Sequence, residues 1–352
     1  MAKKRAVNII VIIILLIALA GAVLLARTFL QKPATSLEME VLAENLHVPW
    51  AIDFLPDGTL LFTERDGTVS LLKDKNIRVI GTLNGTERGE GGSLGIAVDP
   101  GFVQNHFIYV YYLYEEDGTF WNRVSRLRLD GMRLAEEKVL LDRIPAARYH
   151  NGGRIRFGPD GKLYITSGDA TGPELAQNTS SLAGKILRIS KDGSIPAGNP
   201  FGNAVYSYGH RNPQGLAWHP TTKRLYATEH GPEKHDEINL IIPGKNYGWP
   251  EKCPHRQFED PLRCYDDFTL APSGAAFIGD TLFVAGLRGA QLRQLTFAED
   301  GSIVSEGPVV SGIGRVRDVV AHDGALYILT SNRDGRGIPR AGDDKILRLR
   351  LQ

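Results

Sequence analysis

The chain of 352 residues has little sulfur and almost no net charge. It carries 2 Cys and 3 Met, and 41 Lys and Arg stand against 40 Asp and Glu, for a formal charge of +1. A balance this close excludes a broad polyanion-binding surface, and with it nucleic acid as a partner; it also excludes an acidic or basic disordered chain. Cys253 and Cys264 lack the paired spacing of a zinc knuckle, and lying close together in a Pro-rich, charged loop they read as a disulfide formed in an oxidising compartment. Scarce methionine beside 39 Gly and 19 Pro points away from long helices and toward many turns between short strands.

One long apolar run is present, at 6–26, directly after Met1-Ala2-Lys3-Lys4-Arg5. About twenty apolar residues suffice to span a bilayer as a helix, and a basic cluster before them stays cytoplasmic. The expected organisation is a cytoplasmic basic tail at 1–5, a transmembrane anchor at 6–26, a linker at 27–37 and one exported β domain at 38–352, held on the outer face of the cytoplasmic membrane. Ala18-Leu19-Ala20 offers an alternative, a cleaved signal peptide that would leave a secreted or periplasmic protein.

Beyond the linker one pattern returns six times: a turn, most often with Asp and Gly, followed by a short strand of apolar, aromatic and Thr residues. Its copies lie at 56–65 (PDGTLLFTER), 105–110, 159–166 (PDGKLYIT), 222–228, 279–285 and 322–330 (HDGALYILT). Copies recur roughly every 45 to 60 residues, the period of a four-stranded propeller blade with variable loops. Runs such as Lys185-Ile186-Leu187-Arg188-Ile189 and Arg126-Leu127-Arg128-Leu129 follow some copies and read as outer blade edges. Residues Met39-Glu40-Val41-Leu42 are expected to pair with the last sheet, near Lys345-Ile346-Leu347-Arg348-Leu349, closing the ring without a free edge. The fold class is therefore all-β, a six-bladed β-propeller of four-stranded antiparallel blades behind one N-terminal helix.

Polar chemistry gathers in the loops. His150, in Tyr149-His150-Asn151-Gly152-Gly153, is the best single candidate for a general base, and the glycines after it suit close approach of backbone to a ligand. A turn histidine that only makes hydrogen bonds is the plain alternative. Pro213 keeps His210-Arg211-Asn212 out of helical geometry; Arg211 offers a fork of donors and Asn212 a donor and an acceptor, suited to a planar, oxygen-rich ligand or equally to a blade-to-blade salt bridge. Glu229-His230-Gly231-Pro232 and His235-Asp236-Glu237 bring carboxylates and free carbonyls into one turn, as calcium prefers, while Gly231-Pro232 breaks the helical spacing zinc would need. Arg288, Arg315 and Arg317 would form a carboxylate site if they met at one rim, and scattered surface arginines if they did not.

In order, YHNGG at 149–153, GHRNPQGL at 209–216, EHGP at 229–232, DEINL at 236–240, NYGWP at 246–250 and RVRD at 315–318 resemble the glucose/sorbosone dehydrogenase family, quinoproteins that use pyrroloquinoline quinone (PQQ) and calcium. The resemblance spans about 42–350 and implies the same propeller. It implies an enzyme that oxidises the anomeric carbon of an aldose to a lactone and passes electrons to an external acceptor. His150 would be the base; Arg211 and Asn212 would contact the quinone oxygens, with Gln214 supporting them. Glu90 and His230 would line the cofactor site, and Arg288, Arg315 and Arg317 would take its carboxylates. Gly231 and Pro232 would hold the cofactor's calcium by their carbonyls, and Glu237 and Tyr247 a second, structural calcium. The chain departs from the family where Glu90 and His230 stand at positions that are Gln in some members, where Arg288 replaces a lysine, and where Tyr149 replaces an acid beside the base. Glu90 is expected to raise the proton affinity of His150, and loss of the acid at 149 to change how its ring is oriented. A calcium-dependent lactonase and a non-catalytic binding propeller are the alternative readings.

Overall fold

Six four-stranded antiparallel sheets succeed one another along the chain in a computed structural model that describes residues 37–351. Each of the six sequence repeats supplies the second strand of a sheet: Leu60–Glu64, Phe107–Glu116, Leu163–Ser167, Leu225–Glu229, Thr281–Gly286 and Ala325–Thr330. These strands sit between neighbouring blades, so both faces are covered, and all five residues of Leu163–Ser167 are buried. Strands covered on both sides read as continuous apolar runs rather than alternating ones.

Blades 1 to 5 are built from consecutive strands, and blade 6 pairs Glu38–Ala43 with Ile346–Arg350, Ala325–Thr330 and Val316–His322. The expected closure by the two ends of the domain is thus present. Lys185–Ile189 and the strand Thr119–Asp130 are not blade edges as expected; each is a third strand, covered by Val205–Tyr208 and Arg133–Pro145 respectively. The true edges are short or polar, and Arg133–Pro145 is mostly exposed, so they leave no apolar signal.

The core is a set of wedges between blades. The largest joins blades 1, 2 and 3 through Trp50, Leu61, Tyr109, Tyr111 and Ile165, all close to fully buried. Below the site described next, Arg154 is 1% exposed; its Nη1 reaches Asp318 at 2.8 Å and its guanidinium lies 4.3 Å from the Trp50 ring centre. A buried ion pair of this kind is a costly filler, and it is held by further hydrogen bonds to Gln214 O and from Ile52 N.

The described propeller unit is Met39–Leu349; the second unit, Met1–Glu38 with Arg350–Gln352, is described only at Leu37, Glu38, Arg350 and Leu351. The basic tail, the anchor and nearly all of the linker expected at 1–37 lie outside the described residues. Among the described residues no helix is long and apolar enough to cross a membrane. Cys253 and Cys264 are joined in a disulfide, as expected.

Candidate active site

The turns of the six repeats all precede second strands and lie on one face of the propeller. The opposite face carries the loops that run from the last strand of one blade to the first of the next, together with those joining second and third strands. There a cavity of about 530 Å³ draws its walls from blade junctions 1–2, 2–3, 3–4, 4–5 and 5–6 and from loops of blades 4, 5 and 6. Every residue expected to touch a cofactor lines it: Glu90, His150, Arg211, Asn212, Gln214, His230, Arg288, Arg315 and Arg317.

His150 is aimed by an acid that the sequence did not single out. Its Nδ1 lies 2.8 Å from Asp169 Oδ1, and Asp169 is fully buried. Asp169 is itself fixed, accepting Trp249 Nε1–H at 2.8 Å on Oδ2 and Thr171 N–H at 2.8 Å on Oδ1, while its own N–H donates to Arg211 O. An ionised carboxylate only accepts, so Nδ1 carries the hydrogen and Nε2 is left with its lone pair. The loss of the acid at position 149 therefore does not leave the ring unoriented. Gly152 and Gly153 do not open the way for a ligand as expected. A Cβ on Gly152, at φ +63°, would stand 2.6 Å from Thr166 O, so the close approach is to the neighbouring strand.

The His-Arg-Asn cluster divides. His210 is buried, bonded through Nδ1 to Glu229 at 2.7 Å and through Nε2 to Ser207 Oγ at 2.9 Å, with its ring stacked on Tyr247; it anchors the loop. Arg211 reaches the cavity, where Nη1 donates to Gly231 O at 2.9 Å and His230 O at 3.2 Å. Asn212 Oδ1 accepts Gly152 N–H at 3.0 Å, which ties this loop to that of His150. Burial pulls the pKa of Arg211 down, and Asp169 and Glu229 oppose that pull.

Arg315 and Arg317 meet at one rim, both facing Asp334. Arg315 donates to Asp334 Oδ2 from Nε and Nη2, and Arg317 Nη2 lies 3.8 Å from the same oxygen. Arg317 is 5% exposed and its Nη1 donates to Gln214 Oε1 at 2.7 Å. Burial brings Arg317 down to about 9, against the opposing pull of Asp334.

Glu90 behaves differently from expectation. One oxygen pairs with Arg336, and the other accepts the backbone N–H of His150 at 3.1 Å rather than meeting the ring. Burial pushes its pKa up, but Arg336 and His230 outweigh that and hold it at about 2. Burial, with Arg317 and Arg211 nearby, takes His230 down to about 3, so its ring is neutral at pH 7.

The residues expected to ligate metal adjoin the cavity without forming a cluster. Gly231, Pro232, Glu237 and Tyr247 line one small pocket beside Arg211. Glu237 accepts Asn239 Nδ2–H at 3.0 Å and lies 3.6 Å from His255 Nε2. The Tyr247 hydroxyl donates to Leu240 O and accepts Ile242 N–H, which leaves the backbone carbonyl as its available oxygen. Among the described residues no three His, Cys, Asp or Glu side chains come together as a metal site.

Three residues that line the cavity each carry a buried nitrogen with no partner among the described residues: Arg211 Nε, Arg317 Nε and His230 Nε2. Buried polar atoms are normally bonded, so these point to a polar ligand. Sequence reasoning missed Asp169, Trp249, Asp334 and Arg336. For Asp169 a signal existed, an acid placed directly after a second strand on the site face; Trp249 lies in the NYGWP motif but was given no role, and no local pattern marks Asp334 or Arg336.

Comparison with known proteins bears on the same region. A sequence profile of the Glucose / Sorbosone dehydrogenase family matches residues 46–347. Aldose sugar dehydrogenase YliI of Escherichia coli strain K12 is 32% identical over 344 residues, covering 86% of this chain and 92% of that protein. Quinoprotein glucose dehydrogenase B of Acinetobacter calcoaceticus is 32% identical over 303 residues, covering 74% and 61%. The structure of the PQQ-bound aldose sugar dehydrogenase of Streptomyces coelicolor superposes with a TM-score of 0.84 at 38% identity, covering 91% of this chain and all of that one.

Proposed function

Since the chain belongs to the glucose/sorbosone dehydrogenase family, we propose that it is a PQQ-dependent dehydrogenase that oxidises the anomeric carbon of an aldose to the lactone and passes electrons to an external acceptor. The observation that carries the reading is the convergence of one oriented imidazole and several arginines on a single cavity. Unpaired Nε atoms on Arg211 and Arg317 fit a ligand rich in carboxylate and carbonyl oxygens. Arg288, Arg315 and Arg317 would hold the carboxylates of PQQ, and Arg211 and Asn212 its ring oxygens; Gln214 keeps Arg317 in place. Glu90 and His230 complete the cofactor wall.

When bound, PQQ accepts the two electrons and the hydrogen leaving the anomeric carbon. His150 Nε2 takes the proton of the anomeric hydroxyl, and Asp169 holds the ring and stabilises the imidazolium. Arg211 sets a positive charge where negative charge grows. Trp249 acts on Asp169, through its indole N–H, as a positioning residue.

Calcium would be held by the carbonyls of Gly231 and Pro232 beside the cofactor, with Glu237 and the Tyr247 carbonyl serving a second, structural ion. Gly231 O already accepts Arg211, so it would offer calcium its second lone pair. The Cys253–Cys264 bridge supports placing the reaction in an oxidising compartment, outside the cytoplasm.

The test is reconstitution of the purified chain with PQQ and calcium, followed by dye reduction with a panel of aldoses. Sugar-dependent reduction that vanishes in His150→Ala is the expected result. Absence of any sugar-dependent rate in fully loaded protein would overturn the reading.

A further inference from the structure

Off the central cavity opens a side chamber of about 300 Å³ with four arginines in its wall, Arg288, Arg315, Arg336 and Arg340, and no carboxylate among its lining residues. Arg288, Arg315 and Arg336 also line the central cavity, so the two spaces adjoin.

The loop that supplies Arg336 and Arg340 contains acids, yet they are turned to other partners. Asp343 accepts the backbone N–H of Arg340 at 2.7 Å, not its guanidinium. Asp344 accepts the backbone N–H groups of Asn332 and Arg333. Asp334 serves Arg315 and Arg317. The Arg340 guanidinium is left with one carbonyl, Gly312 O, at 3.2 Å. Arg340 is exposed and has no carboxylate partner among the described residues, and the arginine fork matches a carboxylate.

The chamber begins beside the base. Glu90 bridges Arg336 and the backbone N–H of His150, and the Arg336 guanidinium stands 5.2 Å from the Tyr149 ring centre. Ile338, 87% exposed, adds an apolar wall to the chamber. One carboxylate, Glu90, thus separates Arg336 from the His150 backbone, and Arg340 shares the chamber wall with Arg336.

The geometry points to an anion subsite at Arg336 and Arg340 that takes the carboxylate of an acidic aldose, distinct from the arginines assigned to the cofactor. This inference rests on the reading of His150 as the base, and it narrows the substrate class to sugars that carry a carboxylate as well as a free anomeric carbon. Arg336 would exchange part of its pairing with Glu90 for the substrate carboxylate, while Arg340 adds charge that nothing else on its loop neutralises.

The test is calorimetric titration of the full chain, as purified and after loading with PQQ and calcium, with galacturonate and with galactose. These differ in a carboxylate against a hydroxymethyl group. Galacturonate is expected to bind about tenfold more tightly at low salt, the size of one charge-assisted contact. The ratio should shrink at high ionic strength and fall to within about twofold in Arg340→Ser. Equal affinity for the two sugars, or a ratio that Arg340→Ser leaves unmoved, overturns the inference. Dye reduction with both sugars, run in parallel, separates the two claims. Oxidation of galactose without carboxylate preference sinks the subsite alone; carboxylate binding through Arg340 with neither sugar oxidised keeps the subsite and sinks the dehydrogenase reading.

Discussion

The substitution Asp169→Asn probes how His150 is made into a base. The Trp249 indole only donates, so the oxygen of the introduced amide must face it, as Asp169 Oδ2 does at 2.8 Å. That orientation turns the amide NH₂ toward His150 Nδ1, which then accepts, and the ring hydrogen moves to Nε2, the atom that should take the substrate proton. The NH₂ also faces the Thr171 N–H that Asp169 now accepts, and loses that bond. Positioned general bases contribute about 10²- to 10⁴-fold, and the same wrong tautomer in serine-protease triads costs about 10⁴-fold. A fall in kcat of about 10²- to 10⁴-fold, or roughly 3 to 5 kcal/mol of barrier, is therefore expected. Steady-state dye reduction by the loaded variant reads kcat, and fluorescence titration with PQQ checks that the cofactor still binds. A variant that binds PQQ and turns over within about threefold of the parent would refute the tautomer argument.

Four further outcomes follow from the same geometry. Arg317→Met should weaken PQQ binding by about 10- to 100-fold, the worth of a charged hydrogen bond, yet leave the thermal midpoint of the unloaded protein level or higher, because a buried and under-bonded cation is removed; a large drop in that midpoint would speak against it. Glu90 has its folded pKa depressed to about 2, so its contribution to stability is complete above the ordinary value near 4.5 and is lost as pH falls toward 2; the midpoints of the parent and Glu90→Gln should converge over that window. Lys185 is buried with its Nζ on the carbonyls of Leu175, Ala176 and Ala183; Leu175 O and Ala176 O also accept Asn178 N–H and Gly209 N–H, so Lys185→Met should cost about 1 to 3 kcal/mol in urea unfolding, chiefly by leaving Ala183 O unbonded. Reducing the Cys253–Cys264 bridge should cost about 2 to 3 kcal/mol by the same measure, since it closes a short loop next to Glu237.

The fold was legible where neighbouring blades cover both faces of a strand. Leu163–Ser167 and its five counterparts carry an unbroken apolar signature after a turn, and that alone counts the blades. Third strands were visible but misplaced, because Arg133–Pro145 and its like are polar enough to vanish into the loops around them. At the site, His150, Arg211, Arg315 and Arg317 were legible from the chemistry of their own short motifs. Asp169 and Trp249 were not, since they are 80 residues apart in sequence and their roles exist only once blade 3 meets the loop after blade 4's third strand. Glu90 shows the same limit in reverse: its carboxylate was visible, but its partner Arg336 lies 246 residues away, and that partner decides its charge and its reach.

The central claim is that one cavity brings a quinone and the His150 base together. Its most direct test is a single-turnover experiment on protein loaded with one equivalent of PQQ, following the quinone absorbance without air or dye after an aldose is added. Rapid conversion to the reduced spectrum in the parent, with His150→Ala binding PQQ as tightly and staying oxidised, is the predicted result. A His150→Ala protein that reduces its quinone at the parent rate, or a parent that does not bind PQQ at all, would contradict it.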